Sequence, residues 1–250
     1  MPKSAFSRRR MHFLAGFGLA LAGAVLLPSA PALAEMMGTA KPGRPAADIA
    51  QDAARKPGMM LRFANIKPGQ RVIEILPGEG YFTRVLSAAV GARGTVVAVV
   101  PRDSDALRKL AREPGRANVK LQIGALADLA RAGPADVVWT SRNYHDFKGD
   151  KAPAELADAV NRAAFAALKP GGVYFVLDHS AAAGSGLRDV GSLHRIDAEA
   201  VKAEVLAAGF VLDGESDLLA NSGDDRTKPV FDPEVQGKTD QFVLRFKKPK

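Results

Sequence analysis

The sequence has no cysteine among its 250 residues. This absence excludes disulfide bonds, thiolate-bound metals and a cysteine nucleophile. It is compatible with an oxidising or a reducing compartment, because a chain without thiols has no thiol to protect. Any metal site or general base must therefore be built from histidine, carboxylate, hydroxyl or amine groups.

The sequence also lacks the features of a nucleic-acid-binding protein. Its net charge is +8, but four of the 35 basic residues fall within the first 34 positions, which contain no acid. The rest of the chain has 31 basic and 27 acidic residues, a net charge of +4. We find no basic helix face and no series of aromatic residues on which bases could stack. We therefore expect a small-molecule partner and no nucleic acid.

The first 34 residues have the layout of a cleavable export signal. A basic cluster at residues 8–10 precedes an apolar run at residues 13–27, and Ala34 closes a small-x-small cleavage site. The apolar run is shorter than the roughly 20 residues that span a bilayer, so no stable membrane span is expected after cleavage. We expect export to the periplasm by the Sec or twin-arginine route, and a flexible leader over residues 35–47.

Strands and helices alternate along residues 48–250, which indicates one α/β domain. Two short helices are predicted over residues 48–64, interrupted at Pro57. Short apolar runs then predict seven strands, at residues 71–76, 95–100, 119–123, 136–140, 173–178, 210–213 and 241–246. Longer helices are predicted at residues 81–90, 104–112, 153–168 and 197–208, with a tight turn at residues 169–172.

This alternation also predicts the topology of the sheet. Buried strands that alternate with helices form parallel sheets with helices on both faces. Strands six and seven have no helix between them, so strand seven is expected to be antiparallel. The predicted fold is a seven-stranded, Rossmann-like, doubly wound α/β sheet, mostly parallel, with Trp139 in its core.

The turn after the first predicted strand indicates a ligand site. It contains Pro77, Gly78 and Gly80 and leads directly into the helix at residues 81–90. Glycine lets a ligand approach the backbone closely, and the start of the helix offers free N–H groups. Ligands of such sheets bind at the carboxyl ends of the strands, so the loops after strands two to five are expected to complete the site.

Three histidines fall in loops that this topology sends to the same edge of the sheet: His145, His179 and His194. A histidine beside Asp146 or Asp178 could act as a general base. Two or three histidines with an aspartate could instead hold a divalent metal ion, or the side chains could only fix the shape of the loops. Because their spacing is not that of a metal motif, we predict no metal, and catalytic roles for His145, Asp146, Asp178 and His179.

Six short motifs give the sequence a resemblance to a known family. They lie at residues 73–83, 143–147, 168–173, 178–181, 193–197 and 237–242. Together with the order of elements, they resemble the class I S-adenosylmethionine-dependent methyltransferases. More narrowly, they are similar to a group of exported bacterial proteins described as predicted methyltransferases. The resemblance covers about residues 48–250.

The resemblance implies S-adenosylmethionine as cofactor and methyl transfer to a small molecule as activity. It places the cofactor against Glu74, Pro77, Gly78 and Gly80, in a loop that in the family reads acid-x-Gly-x-Gly-x-Gly. Leu76 stands where the family has its first glycine. The family also places substrate-facing groups after strand four, which implies substrate contacts for Asn143 and Tyr144, with His194 nearby.

Two acidic positions of the family are changed in this sequence. Val100 stands where an acid usually holds the ribose, so Asp103 is expected to replace it. Ala125 stands where an aspartate usually contacts the adenine amine, and Asp128 is the nearest acid. These changes motivate an alternative, a non-catalytic or repurposed domain that binds another small ligand in the same cleft.

Overall fold

The computed structural model describes residue 1 and residues 43–250. The expected export signal, apart from residue 1, and most of the expected leader lie outside the described residues. Within the described part of the chain, no helix is long and apolar enough to cross a membrane.

A seven-stranded mixed sheet forms the centre of the domain. Its strands are β1 Arg71–Ile75, β2 Thr95–Val100, β3 Val119–Ile123, β4 Ala135–Ser141, β5 Leu168–His179, β6 Val211–Ser216 and β7 Gln241–Lys247. They lie in the order β3-β2-β1-β4-β5-β7-β6. Strands β1 to β5 are parallel, and β7 is antiparallel to both of its neighbours. The predicted fold class is confirmed, and the strand order reverses between β1 and β4.

Helices cover both faces of this sheet. Three short ones precede β1: α1 Ala46–Ile49, α2 Asp52–Arg55 and α3 Pro57–Phe63. The others are α4 Tyr81–Val90, α5 Asp105–Ala111, α6 Leu156–Ala167, α7 Val190–Leu193 and α8 Ala198–Ala207, with 3₁₀ helices at Leu126–Ala132 and His145–Lys148. Ser104 caps α5 by accepting a bond from the N–H of Leu107 at 3.3 Å, and Asp197 caps α8 in the same way.

Two apolar layers pack on opposite faces of the sheet. Val138 belongs to the layer that contains α6 and α8, whereas the next residue, Trp139, belongs to the layer that contains α4. This alternation follows from the two-residue period of a strand. Trp139 is fully buried and stacks on Phe175 with 3.8 Å between ring centroids, which confirms its predicted place in the core.

The turn expected at residues 169–172 lies inside β5. The strand begins at Leu168, and its register against β4 shifts between Ala135 and Val137. Gly171 has a φ of 76° and its N–H donates to the carbonyl of Lys248 at 2.9 Å. The residues that indicated a turn therefore form an irregularity within a continuous strand, since backbone pairing continues on both sides of it.

The start of the domain also differs from the prediction. The predicted break between two short helices falls at Lys56, and Pro57 begins α3, because proline at the first helical position has no N–H that needs a partner. Arg44, expected in a flexible leader, is buried and donates two bonds to Asp52, at 3.0 and 2.7 Å. The folded unit therefore begins before residue 48.

Candidate functional site

A cleft of about 710 Å³ opens at the carboxyl ends of β1, β2 and β4. The loop after β1 forms one wall with Leu76, Pro77, Gly78 and Glu79. The loop after β2 forms a second wall, and the end of β4 with its following loop forms a third. The short helices α1 and α2 close the remaining side. The lining residues of these walls are, in the same order, Pro101, Arg102 and Ser104; Ser141, Arg142 and Asn143; and Asp48, Gln51 and Arg55. The cleft lies beside the reversal of strand order, where ligands of doubly wound sheets bind.

The loop after β1 depends on left-handed backbone conformations. Gly78 and Gly80 have φ angles of 58° and 82°, which glycine adopts without steric cost. A Cβ at Gly80 would also lie 2.1 Å from the Cδ1 atom of Leu110 in α5. Gly80 is therefore required both by its conformation and by the packing of α5 against the loop.

Leu76 adopts a left-handed conformation without being a glycine. Its φ is 50°, which costs a residue with a side chain roughly 1–2 kcal/mol. Asn143 holds it in place, because the Nδ2 group donates to the carbonyls of Ile75 and Leu76, both at 3.0 Å. The Thr140 hydroxyl in turn donates to Oδ1 of Asn143. The end of β4 thus fixes the shape of the loop after β1.

Glu74 is a buried carboxyl group that borders the cleft. It is 1 % exposed and accepts a hydrogen bond from the Thr83 hydroxyl at 2.6 Å. Burial raises the pKa of Glu74 to about 7, because the ionised form is poorly solvated there. A ligand with a positive charge would stabilise the carboxylate at this position.

Three arginines supply positive charge to the same cleft: Arg102 after β2, and Arg55 and Arg142. The Arg55 guanidinium lies over the Tyr81 ring, 4.4 Å from its centroid. Arg142 has a φ of 59° and donates from Nε to Oε1 of Gln241 at 3.0 Å. Burial lowers the pKa of Arg142 to about 10, which still leaves it charged at neutral pH. The sequence analysis missed Arg55 and Arg142, because neither belongs to a motif; the position of Arg142 directly after β4 was the only available signal.

A second cavity of about 550 Å³ adjoins the cleft. The two share Leu76, Pro101, Arg102 and Asp146 as lining residues. The second cavity is also lined by His145 and His194, and by Asp150, Lys151 and apolar groups such as Leu126 and Val190. A molecule in this cavity would therefore meet one in the cleft at the Leu76 side chain.

Asp178 fixes the orientation of His145. Asp178 is fully buried, with Oδ1 2.9 Å from Nδ1 of His145 and Oδ2 accepting from the His145 backbone N–H at 2.8 Å. Burial alone would lower the pKa of His145, but the Asp178 carboxylate offsets burial and the pKa is raised. With Nδ1 facing Asp178, the other ring nitrogen, Nε2, faces away from it.

Asp146 lies on the Nε2 side of His145, and His194 packs against the His145 ring. Oδ1 of Asp146 is 3.4 Å from Nε2, and the His194 ring packs edge-on with 5.5 Å between ring centroids. One nitrogen or oxygen atom from each of the three side chains lies within 4.8 Å of the others. Such a group could take a proton from a bound molecule or hold a cation. The structure thus brings His194, expected near the substrate, together with His145 and Asp146, both predicted to be catalytic.

The structure corrects two of the predicted site residues near this cluster. Tyr144 is fully buried, and its hydroxyl donates to Glu204 at 2.9 Å and accepts from Asn161 at 2.8 Å, so it packs in the core and not against a substrate. His179 lines neither cavity; its Nδ1 atom is 2.7 Å from the Thr239 hydroxyl, and burial lowers its pKa to about 3. Its predicted catalytic role is therefore withdrawn.

The structure also corrects the two acids proposed for the nucleoside end of the cleft. Asp103 points to the surface and accepts from Nε of Arg108 at 2.6 Å. Asp128 is half-exposed and lies 3.6 Å from Arg131. Neither lines the cleft, where Pro101, Arg102 and Ser104 follow β2 instead. Each carboxylate is held by an arginine that follows it closely in the chain.

Comparison with known proteins agrees with this geometry. Residues 46–127 match the family model described as protein-L-isoaspartate(D-aspartate) O-methyltransferase. A methyltransferase from Aquifex aeolicus, described as S-adenosylmethionine-dependent, has 14% identity and a TM-score of 0.55, over 79% of this chain and 97% of that one. Aeropyrum pernix fibrillarin, solved with natively bound S-adenosylmethionine, has 18% identity and a TM-score of 0.51, over 78% and 76%. A comparison with curated protein sequences found no match.

The domain has the class I methyltransferase fold. The strand order, the single antiparallel strand and the Gly-containing loop after β1 all agree with this assignment. The cyclase SpnF has the same fold, with 18% identity and a TM-score of 0.56 over 84% of each chain. A methyltransferase fold thus occurs in a protein described by another activity, and the function must be argued from the site.

Proposed function

We propose that the chain is an S-adenosylmethionine-dependent methyltransferase that acts on a small molecule. The observation that carries the proposal is the composition of the cleft beside β1. It combines a left-handed glycine loop, a buried carboxyl group at Glu74 and two cationic groups at Arg55 and Arg142. The methionine part of the cofactor has an ammonium and a carboxylate group, which these side chains match in charge.

The nucleoside part of the cofactor would occupy the end of the cleft near β2. Ser104 offers a hydroxyl there, and Pro101 and Leu107 offer apolar surface for a base. The absence of a lining carboxylate after β2 predicts a weaker hold on the ribose than an acid would give. The proposal therefore includes a modest cofactor affinity.

The methyl acceptor would occupy the second cavity. Its nucleophile attacks the methyl carbon as the bond from that carbon to sulfur breaks, and the sulfur keeps the bonding electron pair. Where no cation occupies Nε2 of His145, that atom, on a ring oriented by Asp178, would take the proton that the acceptor loses. A volume of about 550 Å³ suits a small molecule.

A titration with S-adenosylmethionine and S-adenosylhomocysteine tests the cofactor. We expect binding to the full chain at one site, and at least tenfold weaker binding in Glu74→Gln, which corresponds to about 1.4 kcal/mol. Asp103→Asn is the matched control, since it makes the same change from acid to amide outside the cleft, and it should bind like the wild type. Absence of heat with either ligand at about millimolar concentration would overturn the proposal.

The same titration separates the proposal from a repurposed ligand-binding domain. The left-handed Leu76 in place of a glycine, and the cleft without a carboxylate after β2, favour that second function. If it is right, neither cofactor form binds, while Glu74→Gln and the wild type remain equally folded by circular dichroism.

We also propose that the enzyme acts in the cell envelope after export. The support is the layout of residues 1–34, with its basic cluster, apolar run and small-x-small site. Cell fractionation followed by N-terminal sequencing should find a periplasmic chain that begins at Glu35. A cytoplasmic chain that retains residues 1–34 would contradict this part of the proposal.

A further inference from the structure

We propose that His145, Asp146 and His194 bind a divalent transition-metal ion at the boundary between the two cavities. The three side chains come from two elements that are distant in sequence, the 3₁₀ helix after β4 and the end of α7. Their possible ligand atoms nevertheless lie within 4.8 Å of one another. Two imidazoles and one carboxylate form a ligand set that suits zinc and similar ions.

The distance between His145 and Asp146 fits two ligands of one metal ion better than a hydrogen bond between the two side chains. Nε2 and Oδ1 are 3.4 Å apart, which is longer than a good hydrogen bond. Two ligands of a tetrahedral ion, each about 2.1 Å from it, lie about 3.4 Å apart. The separation of these two atoms therefore already has the value that an ion between them would require.

Asp178 supplies an independent observation that points to a metal. Its buried carboxylate faces Nδ1 of His145 at 2.9 Å and favours a proton on that nitrogen, which in the neutral ring leaves the lone pair on Nε2, the atom 3.4 Å from Asp146. A metal-bound histidine usually donates its other N–H to a carboxylate or a carbonyl in this way, and the contact orients the ring and raises its basicity. Asp178 would thus be a positioning residue that does not touch the ion.

His194 completes the set with little rearrangement. It ends α7 in a left-handed conformation with a φ of 54°, is half-buried, and packs against Phe231 with 5.1 Å between ring centroids. Its ring lines the second cavity together with His145 and Asp146. Three protein ligands beside an open cavity leave coordination positions for a bound molecule, as in catalytic and not structural metal sites.

The position of this site predicts the class of methyl acceptor, an inference that rests on the proposed function. A divalent ion lowers the pKa of a hydroxyl group that binds to it. An acceptor in the second cavity could then lose its hydroxyl proton to solvent at neutral pH, and the oxygen would form the new bond to the methyl carbon. The structure therefore favours a hydroxyl acceptor and methylation on oxygen.

Titration of the full chain with Zn²⁺ alone, after treatment with a chelator and without cofactor, tests the metal site. We expect one site with micromolar or tighter affinity, and at least tenfold weaker binding in His194→Asn and in Asp146→Asn. Asparagine tolerates the left-handed conformation at residue 194, and Asp146 is exposed, so both variants should fold. Mg²⁺ should bind far more weakly, because it prefers oxygen ligands.

His179→Asn is the matched control for the histidine variant. Its ring centroid is 6.2 Å from that of His145, but its Nδ1 atom is engaged by Thr239 and it is not one of the three proposed ligands. Zn²⁺ affinity equal to that of the wild type is expected for His179→Asn. Equal affinity in Asp146→Asn and His194→Asn, or no Zn²⁺ binding by the wild type at about 0.1 mM, would overturn the metal site.

Failure of this inference and failure of the proposed function give different results. If the chain binds Zn²⁺ but neither form of the cofactor, the metal site is supported and the proposed methyltransferase function is overturned. If the chain binds the cofactor but not Zn²⁺, the methyltransferase function is supported and the metal site is overturned. His145 would then act as the general base.

Discussion

At the scale of single residues, the charge of Glu74 depends on what lies in the cleft. Burial raises its pKa to about 7, so the empty cleft holds a carboxyl group that is partly protonated at neutral pH. Pairing with the ammonium group of a cofactor would favour the ionised form and lower that pKa. Binding would then release a proton at pH values between the lowered pKa of the complex and about 7.

This linkage predicts how cofactor affinity changes with pH. From about pH 5.5 to about pH 7.5 the dissociation constant should fall, by close to tenfold per pH unit at the acid end. Above this range Glu74 is already ionised in the free protein, so the gain stops. Calorimetry in buffers of different ionisation enthalpy measures the released proton directly.

Glu74→Gln removes the titrating group and provides the control for that measurement. The variant should bind more weakly, with an affinity that is flat across the same pH range and with no proton release. A wild-type affinity that does not change with pH would show that Glu74 does not meet the ammonium group.

At the scale of elements, the sequence predicted the strands and turns whose conformation is set by residues close together in the chain. The strands around Ile73 and Val97 were recognisable because buried parallel strands are apolar on both faces. The loop after β1 was recognisable because glycines at positions 78 and 80 must adopt left-handed conformations. These signals lie within a few residues of one another in the chain.

Contacts between distant segments could not be predicted in the same way. The core position of Tyr144 depends on Glu204 and Asn161, and the contact of His179 depends on Thr239. The composition of α1 and α2 did not reveal that Arg55 would line the cleft. Only the packed structure decides which polar side chains near a strand end point toward the cavity.

The segment between β6 and β7 is held by a buried ion pair. Arg195 and Asp224 have side chains that are 0% and 1% exposed, and their closest atoms are 2.8 Å apart. Arg195 also donates to the carbonyls of Ser180 and Lys228, and Asp224 accepts from the N–H of Asp240. These bonds connect the long segment to the end of β5, close to the candidate site.

Breaking this pair should destabilise the chain strongly. Asp224→Asn leaves a buried arginine without its charge partner, so we expect the free energy of unfolding to fall by about 3–5 kcal/mol in urea titrations. Asp103→Asn breaks the exposed pair with Arg108 and should change the free energy of unfolding by less than about 1 kcal/mol. Similar losses in the two variants would contradict the role assigned to Arg195 and Asp224.

The same pair also contributes to acid sensitivity. Burial would raise the pKa of Asp224, but the Arg195 guanidinium offsets it and holds that pKa below its usual range. The stabilisation is therefore present above the unfolded pKa of about 3.9 and is lost as the pH falls through the folded value. Wild-type stability should decline more steeply below about pH 4 than that of Asp224→Asn, since the variant lacks this group.

At the scale of the whole molecule, the two apolar layers share the central strands of one sheet. Val138 and Trp139 are neighbours on β4 and bury their side chains in opposite layers. Thr140 follows directly and bonds to Asn143, which shapes the loop after β1. Because both layers pack on β4, loss of one layer should also release the other. Unfolding of the described domain should therefore be cooperative, and the cleft should be lost in the same step.

Trp139 makes this cooperativity measurable, because it is the one tryptophan in the sequence. In urea, its fluorescence and the far-ultraviolet circular dichroism should change with the same midpoint and slope. A ligand that binds only the folded state should raise both midpoints together, because it adds about 2.7 kcal/mol to the free energy of unfolding at a hundred times its dissociation constant. A fluorescence transition that precedes the loss of helix would mean instead that the layer around Trp139 opens on its own, and that the cleft can be lost while α6 and α8 remain folded.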